Sequence, residues 1–378
     1  MQALLPGLAR DFALSPATAS LALSAGTGAL AAGIIPLTAL SESVGRIPVM
    51  TWSLFTAAAL GLLQAFSPDF AVLVALRGGQ GLALAGLQAV AISYLAEELH
   101  QGALGPAMGL YIAGNGIGGM SGRLLAGVIA GAGGWRWALA AIGVLALASA
   151  VVFRVAILPS AGFRPRPLRL GKLARSVAGS LRDSALLRLY AAGFLLMACF
   201  VTVYNYLGFR LLGPPFWLPQ SAVGLIFVAY LAGSLSSAVA GRLAERVGRP
   251  RMLAASAALT LAGIGLLVPG RLPVVLAGLT VTTAGFFAAH SVASSWVGAR
   301  SRALRAQGPS VYLFCYYLGS AAGGWAGGLA FQDDGWAGIT GYTAGLLGGV
   351  AVLAVSLWRA RPAQAEAPRA RECCPPAS

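Results

Sequence analysis

Charge is scarce in this chain, and acid scarcer still. Only 10% of the 378 residues are Asp, Glu, Lys or Arg, and 11 are acidic. Those acids all fall in loops or near the ends of apolar stretches, from Asp11 and Glu42 to Glu366 and Glu372. Two histidines and four cysteines draw no metal-ligand spacing and no disulfide framework. Cys199 and Cys315 are lone residues in apolar runs, and Cys373 and Cys374 lie in a Pro/Ala-rich tail. There is no Walker loop and no Ser-His-Asp set, so no catalytic residue, metal or cofactor is expected, and the chain reads as a non-enzyme. Alternating ten-residue strands are missing as well, which excludes a transmembrane barrel. No segment is long enough for a soluble output domain, which argues against a membrane sensor.

What is present is apolar. The chain is 58% hydrophobic with 51 glycines, more than a water-soluble domain of this length could bury. Runs of about 20 apolar residues, the length that crosses the hydrocarbon, recur along it. Spans are expected near 17–39, 48–66, 70–95, 107–130, 136–158, 187–208, 221–240, 252–270, 272–297, 309–331 and 336–358. The glycines suit close helix contact in lipid.

The same half is written twice. Leu40-Ser-Glu-Ser-Val-Gly-Arg-Ile matches Leu243-Ala-Glu-Arg-Val-Gly-Arg-Pro, about 200 residues on. The stretch from Leu110 to Gly122 parallels Val311 to Gly323, and Gln88-Ala-Val-Ala-Ile-Ser-Tyr parallels His290-Ser-Val-Ala-Ser-Ser-Trp. Repeated membrane halves imply a carrier whose solute sits between them near the midplane. Overlaying the halves aligns Phe12 with Phe216. A full span precedes Phe216, whereas eleven residues precede Phe12. The expected fold is therefore an all-α integral membrane protein of two pseudo-symmetric six-helix bundles. Its first helix is largely missing, leaving about eleven complete spans, and a misplaced start site is the expected reason. The bundles are expected at 1–158 and 187–358, with a basic cytoplasmic linker at 159–186 and a disordered cytoplasmic tail at 359–378.

The net charge of +15 follows topology rather than a nucleic-acid partner. With residues 40–48 placed in the cytoplasm, 20 of the 26 Lys and Arg are cytoplasmic, the positive-inside bias. Arg10, Arg136, Arg210 and Arg271 fall in outer loops. Arg77 and Arg123 fall within spans, at similar depths of roughly 10 Å by helical rise. A cation there costs about 2.5–3.5 kcal/mol and usually turns to a polar interior. Facing one cavity, the pair would attract an anion or a carboxylate side chain; the alternative is that each snorkels or caps backbone carbonyls. Further substrate or coupling candidates are Gln80, Gln88, Asn115, Tyr204, Asn205, His290, Tyr316 and Tyr317, most of them mid-span, where an unpaired polar group is costly. Among acids and histidines, His290 is the one side chain deep in the visible spans, as a packing residue or a proton relay.

Three motifs carry a resemblance. Gly241-Arg-Leu-Ala-Glu245-Arg246-Val-Gly248-Arg249-Pro resembles the G-x-x-x-D-[RK]-x-G-[RK]-[RK] loop of the major facilitator superfamily. The first-half copy keeps Glu42, Gly45 and Arg46 but departs at Thr38, Ser43 and Ile47. Arg77-Gly-Gly-Gln80-Gly81 is similar to the superfamily's R-x-x-x-G signature. Gly114-Asn115-Gly-Ile-Gly118-Gly119 resembles its antiporter pattern G-P-x-x-G-G, with Asn115 in place of proline. The run to Gly122 and Arg123 looks like the YnfM-type branch of inner-membrane exporters. The resemblance implies alternating access, with the loop charges pairing across a cytoplasmic gate. Gly81, Gly114, Gly118, Gly119, Gly122, Gly319 and Gly323 are read as helix-packing positions. Efflux of a small organic solute against proton entry is the expected function; a uniporter, an importer or an inactive truncated product is the alternative. Expected partners are the bilayer, the solute and a coupling proton, for a monomer in the bacterial inner membrane with a cytoplasmic C-terminus.

Overall fold

The computed structural model describes residues 1–160, 163, 165, 170–304 and 307–359. The tail beyond Arg359, with Cys373 and Cys374, and most of the stretch from Arg164 to Arg169 lie outside the described residues. Among those described, every regular element is helical. A short 3₁₀ turn at Gln2–Leu4 leads into α1 (Leu5–Asp11), α2 (Pro16–Val44), α3 (Arg46–Leu63), α4 (Phe70–Glu98) and α5 (Gln101–Ala156). Then come α6 (Leu170–Arg182), α7 (Ser184–Leu212), the short α8 (Gln220–Gly224), α9 (Tyr230–Val247), α10 (Arg249–Leu266), α11 (Leu272–Leu304) and α12 (Gly308–Arg359).

Side chains mark the helix starts. Ser15 accepts from the Thr18 amide, Asp69 from Val72, and Asp183 from Ala185 and Leu186. The 52 residues of α12 would reach about 78 Å if straight, more than twice the hydrocarbon thickness. They fold back at Gly335, whose φ is 59°. The proof is a hydrogen bond from Tyr342 Oη to the Gly323 carbonyl at 3.3 Å, which a straight helix would hold far apart. In α5 the same reversal falls at Gly134, with φ 83°, and Ala126 shares a buried cluster with Leu139.

Eight stretches among the described residues are long and apolar enough to span a membrane. Two of these, in α5 and α12, cross twice. The 18-residue α10 adds another; two arginines in its first turn lower its mean hydropathy. Eleven crossings result, close to the ranges read from the sequence. One difference concerns the basic stretch expected as a solvated loop. Its residues 170–182 form α6, because Val177 packs on the core around α7 and Ser180 is buried. Arg175 and Arg182 remain exposed.

Glycine sets the closest helix contacts. A Cβ at Gly81 of α4 would come within 2.7 Å of the Gly26 carbonyl carbon on α2. One at Gly323 would come within 2.7 Å of Ala198 Cα, and one at Gly319 within 2.9 Å of Phe194 Cα, both on α7. The expected packing face of α5 needs correction. Gly114, Gly118 and Gly122 have open space where a Cβ would go, and Gly119 meets only the Arg123 side chain at 3.3 Å. Gly114 and Gly118 are exposed, while Gly119 and Gly122 line a cavity. Helix rotation points these positions into open space or the cavity rather than against a described neighbouring helix. The close contacts of α5 fall farther along, at Gly127 against Gly224 and Gly131 against Ser221. There, and where Gly28 meets Ala321 and Gly328 meets Ala17, the two halves touch.

Candidate functional site

Arg77 and Arg123 line one cavity of about 260 Å³ together with Gln2, Gln64 and Gln80. Asp69 caps α4, so Arg77 enters about 12 Å along the axis from that end. Its Nε donates to the Ala22 carbonyl at 3.0 Å and its Nη1 to Gln80 Oε1 at 2.5 Å. Gln80 is itself fixed, donating to the Ala57 carbonyl at 2.9 Å and accepting from Gln64 at 3.0 Å. Arg123 donates through Nε to Gln2 Oε1 at 2.8 Å and through Nη1 to the Gly119 carbonyl at 2.7 Å. Gln2 then donates to Asn205 Oδ1 at 3.1 Å. This chain of bonds joins α5 to α7 across the boundary between the halves. Among the described residues, no carboxylate lies within ion-pair distance of either guanidinium.

Beyond Arg123 an aromatic wall begins. The guanidinium carbon sits 5.3 Å from the Tyr230 ring centre and 5.7 Å from that of Phe227, cation–π range. From Tyr230 the rings run through Phe200 and Phe286 to His290, with centroids 5.7, 3.9 and 6.0 Å apart. His290 Nδ1 lies 3.0 Å from Tyr312 Oη, and Tyr316 packs at 4.5 Å. Tyr317 reaches into the other half and donates to Gln88 Oε1 at 2.5 Å. Tyr204 is buried and bonded to Thr283 at 2.7 Å, so it packs within its own half. Asn115 is exposed and does not line the cavity. The sequence reading missed Gln2, Gln64, Phe227 and Tyr230. A glutamine within an apolar run was the available signal for the first two.

Residues 1–219 match the Major Facilitator Superfamily. Over 358 residues the chain is 42% identical to the MFS-type transporter YybF of Bacillus subtilis (strain 168), covering 95% of this chain and 87% of that one. The chain belongs to the major facilitator superfamily. It is also 43% identical to the inner membrane transport protein YnfM of Escherichia coli (strain K12), over 92% of this chain and 83% of that one. In fold it is similar to a bacterial homolog of the human lysosomal transporter Spinster in an inward-facing, occupied conformation. That match has a TM-score of 0.74 at 15% identity and covers 94% and 92% of the two chains. A mutant of the nucleoside transporter NupG gives 0.73 at 15% identity, covering 94% of each chain. Family and fold make this a multi-pass secondary transporter.

The superfamily's loop motif takes the same backbone form in both halves. Gly45 (φ 116°) joins α2 to α3, and Gly248 (φ 92°) joins α9 to α10. Each turn needs a conformation that side chains disfavour. Arg46, the residue after the first turn, is buried and grips Glu97 at 2.7 and 3.1 Å and Ser41 Oγ at 2.6 Å. In the second half Glu245 and Arg246 are exposed and Gly241 has open space at its Cβ position, while Arg249 begins α10. Glu42 is half-buried. Among the described residues, the charged pair in this half is Asp183 with Arg300, at 2.7 and 2.8 Å. Among the described residues, neither pair crosses between the halves; each closes inside its own half.

Burial alone would raise the Asp183 carboxyl, but the Arg300 hydrogen bond and the amides of Leu186 and Ala185 together hold it below its ordinary 3.8. A carboxylate lowered on folding stabilises the protein above its unfolded value and loses that contribution as pH falls through the folded one. Thermal stability in detergent should therefore fall as pH drops below about 4, by a smaller amount in Asp183→Asn. Equal acid sensitivity in both proteins would remove Asp183 from the account.

Proposed function

We propose that the chain exports a small organic anion from the bacterial cytoplasm in exchange for protons. The observation that carries this reading is a cavity with two guanidinium groups and no carboxylate among the described residues paired to them. Arg77 and Arg123 supply the attraction. The Gln2–Asn205 link and the Tyr317–Gln88 bond supply contacts between the halves that must break when access alternates. The loops at residues 40–48 and 245–251 face the cytoplasm by the positive-inside bias of the chain, as does the end of α12. The protein works as a monomer in the inner membrane.

His290 is the coupling residue in this scheme. It sits among Phe286, Tyr312 and Tyr316, and an imidazolium there calls for water. Proton uptake then belongs to a conformation in which the aromatic cluster has opened, and solute binding to one in which it has closed. The two ligands are carried on opposite strokes. Proteoliposomes loaded with candidate organic anions, with a proton gradient imposed, test the scheme. Proton entry should accelerate anion exit. Movement indifferent to the gradient would mean uniport, and accumulation with protons would mean import. In His290→Ala, turnover should persist but lose its dependence on the gradient; a pH profile identical to the parent's would take His290 out of the coupling.

A further inference from the structure

A groove of about 630 Å³ lies where the start of α7 meets the end of α12, far from the cavity described above. Its apolar wall is Ala351, Val352 and Val355, with Val352 69% exposed. Arg188 and Arg359 stand at its polar end. Arg188 Nη1 donates to the Ser356 carbonyl at 3.3 Å, which caps one of the last backbone acceptors of α12. Its other donors, and those of Arg359, have no partner among the described residues. Beside the groove the exposed Trp358 ring lies 5.3 Å from the Arg251 guanidinium. Tryptophan and arginine at a span end are marks of the headgroup level.

Two cations above an exposed aliphatic strip match one kind of occupant, a phospholipid with a net negative headgroup. We infer that this groove holds an anionic phospholipid of the leaflet on the side of the loops at residues 40–48 and 245–251. Its phosphate lies between Arg188 and Arg359, and an acyl chain runs along Val352 and Val355. A zwitterionic lipid carries the same phosphate but brings a cation that the two arginines repel. The bound lipid would brace α7 against the return limb of α12, which packs on it where Gly349 meets Leu195.

The test is native mass spectrometry of the full chain released from nanodiscs of equal phosphatidylglycerol and phosphatidylcholine. The parent should retain phosphatidylglycerol preferentially. Each arginine removed should weaken that retention about five-fold, as expected for one basic residue near a charged surface. Arg359→Ala is the primary variant, because it leaves the Arg188 cap on Ser356 in place. The double variant Arg188→Ala/Arg359→Ala should lose the preference, and Arg175→Ala, on exposed α6, should keep it. Equal retention of the two lipids by the parent would overturn the inference. So would an equal loss in Arg175→Ala, or displacement of phosphatidylglycerol by millimolar inorganic phosphate.

Discussion

Arg123→Ala is expected to slow solute transport about 30-fold or more while the protein still inserts and folds. Truncating one partner of a buried charge contact costs about 2–5 kcal/mol, and each 1.4 kcal/mol is a factor of ten. Three things go at once: a charge in the cavity, the bond to Gln2 that continues to Asn205, and the cation facing Tyr230 and Phe227. Arg123→Lys keeps the charge but cannot serve Gln2 and the Gly119 carbonyl through a rigid fork, so it should recover only part of the rate. Counterflow in proteoliposomes, at matched protein density, reads the effect. Kinetics unchanged in Arg123→Ala would take this side chain off the solute's path. Arg77, held by Ala22 and Gln80, should behave the same way in Arg77→Ala, with a smaller loss because it makes no bond to the second half.

Gly81→Ala and Gly78→Ala should shift stability in opposite directions, although the residues stand one helical turn apart. At Gly81 the added methyl meets the backbone of Gly26, which cannot rotate away. Helices α2 and α4 must separate, and overpacking of this kind costs up to about 3 kcal/mol. The melting temperature in detergent should fall by roughly 5 °C. At Gly78 nothing lies within 4 Å of the new methyl, and the gain in helix propensity is up to about 1 kcal/mol. Gly323→Ala should follow Gly81, and Gly114→Ala should follow Gly78. Equal melting temperatures for the first pair would mean that the α2–α4 contact is looser than the structure has it.

The glycines show where reading the sequence stops. Gly81, Gly319 and Gly323 meet a neighbouring helix backbone, whereas Gly114, Gly118 and Gly122, at equally suggestive spacing, face open space. Spacing says which residues share a face; only the neighbouring helix says whether that face is covered. The ion pairs teach the same lesson. Arg46 was legible as a motif residue, but Glu97 lies 51 positions away, and Asp183 and Arg300 lie 117 apart.

Sequence alone determined the class, the number of crossings and the repeat of the halves. Each of these depends on local quantities: apolar run length, charge position and a rise of about 1.5 Å per residue. Tertiary structure decided the rest. It brought Gln2 between Arg123 and Asn205, set Tyr317 against Gln88, and turned His290 into a ring of aromatic side chains. Those contacts depend on how each helix is rotated and where it crosses its neighbours. Rotation and crossing come from the packing of whole surfaces, and no single span carries that information.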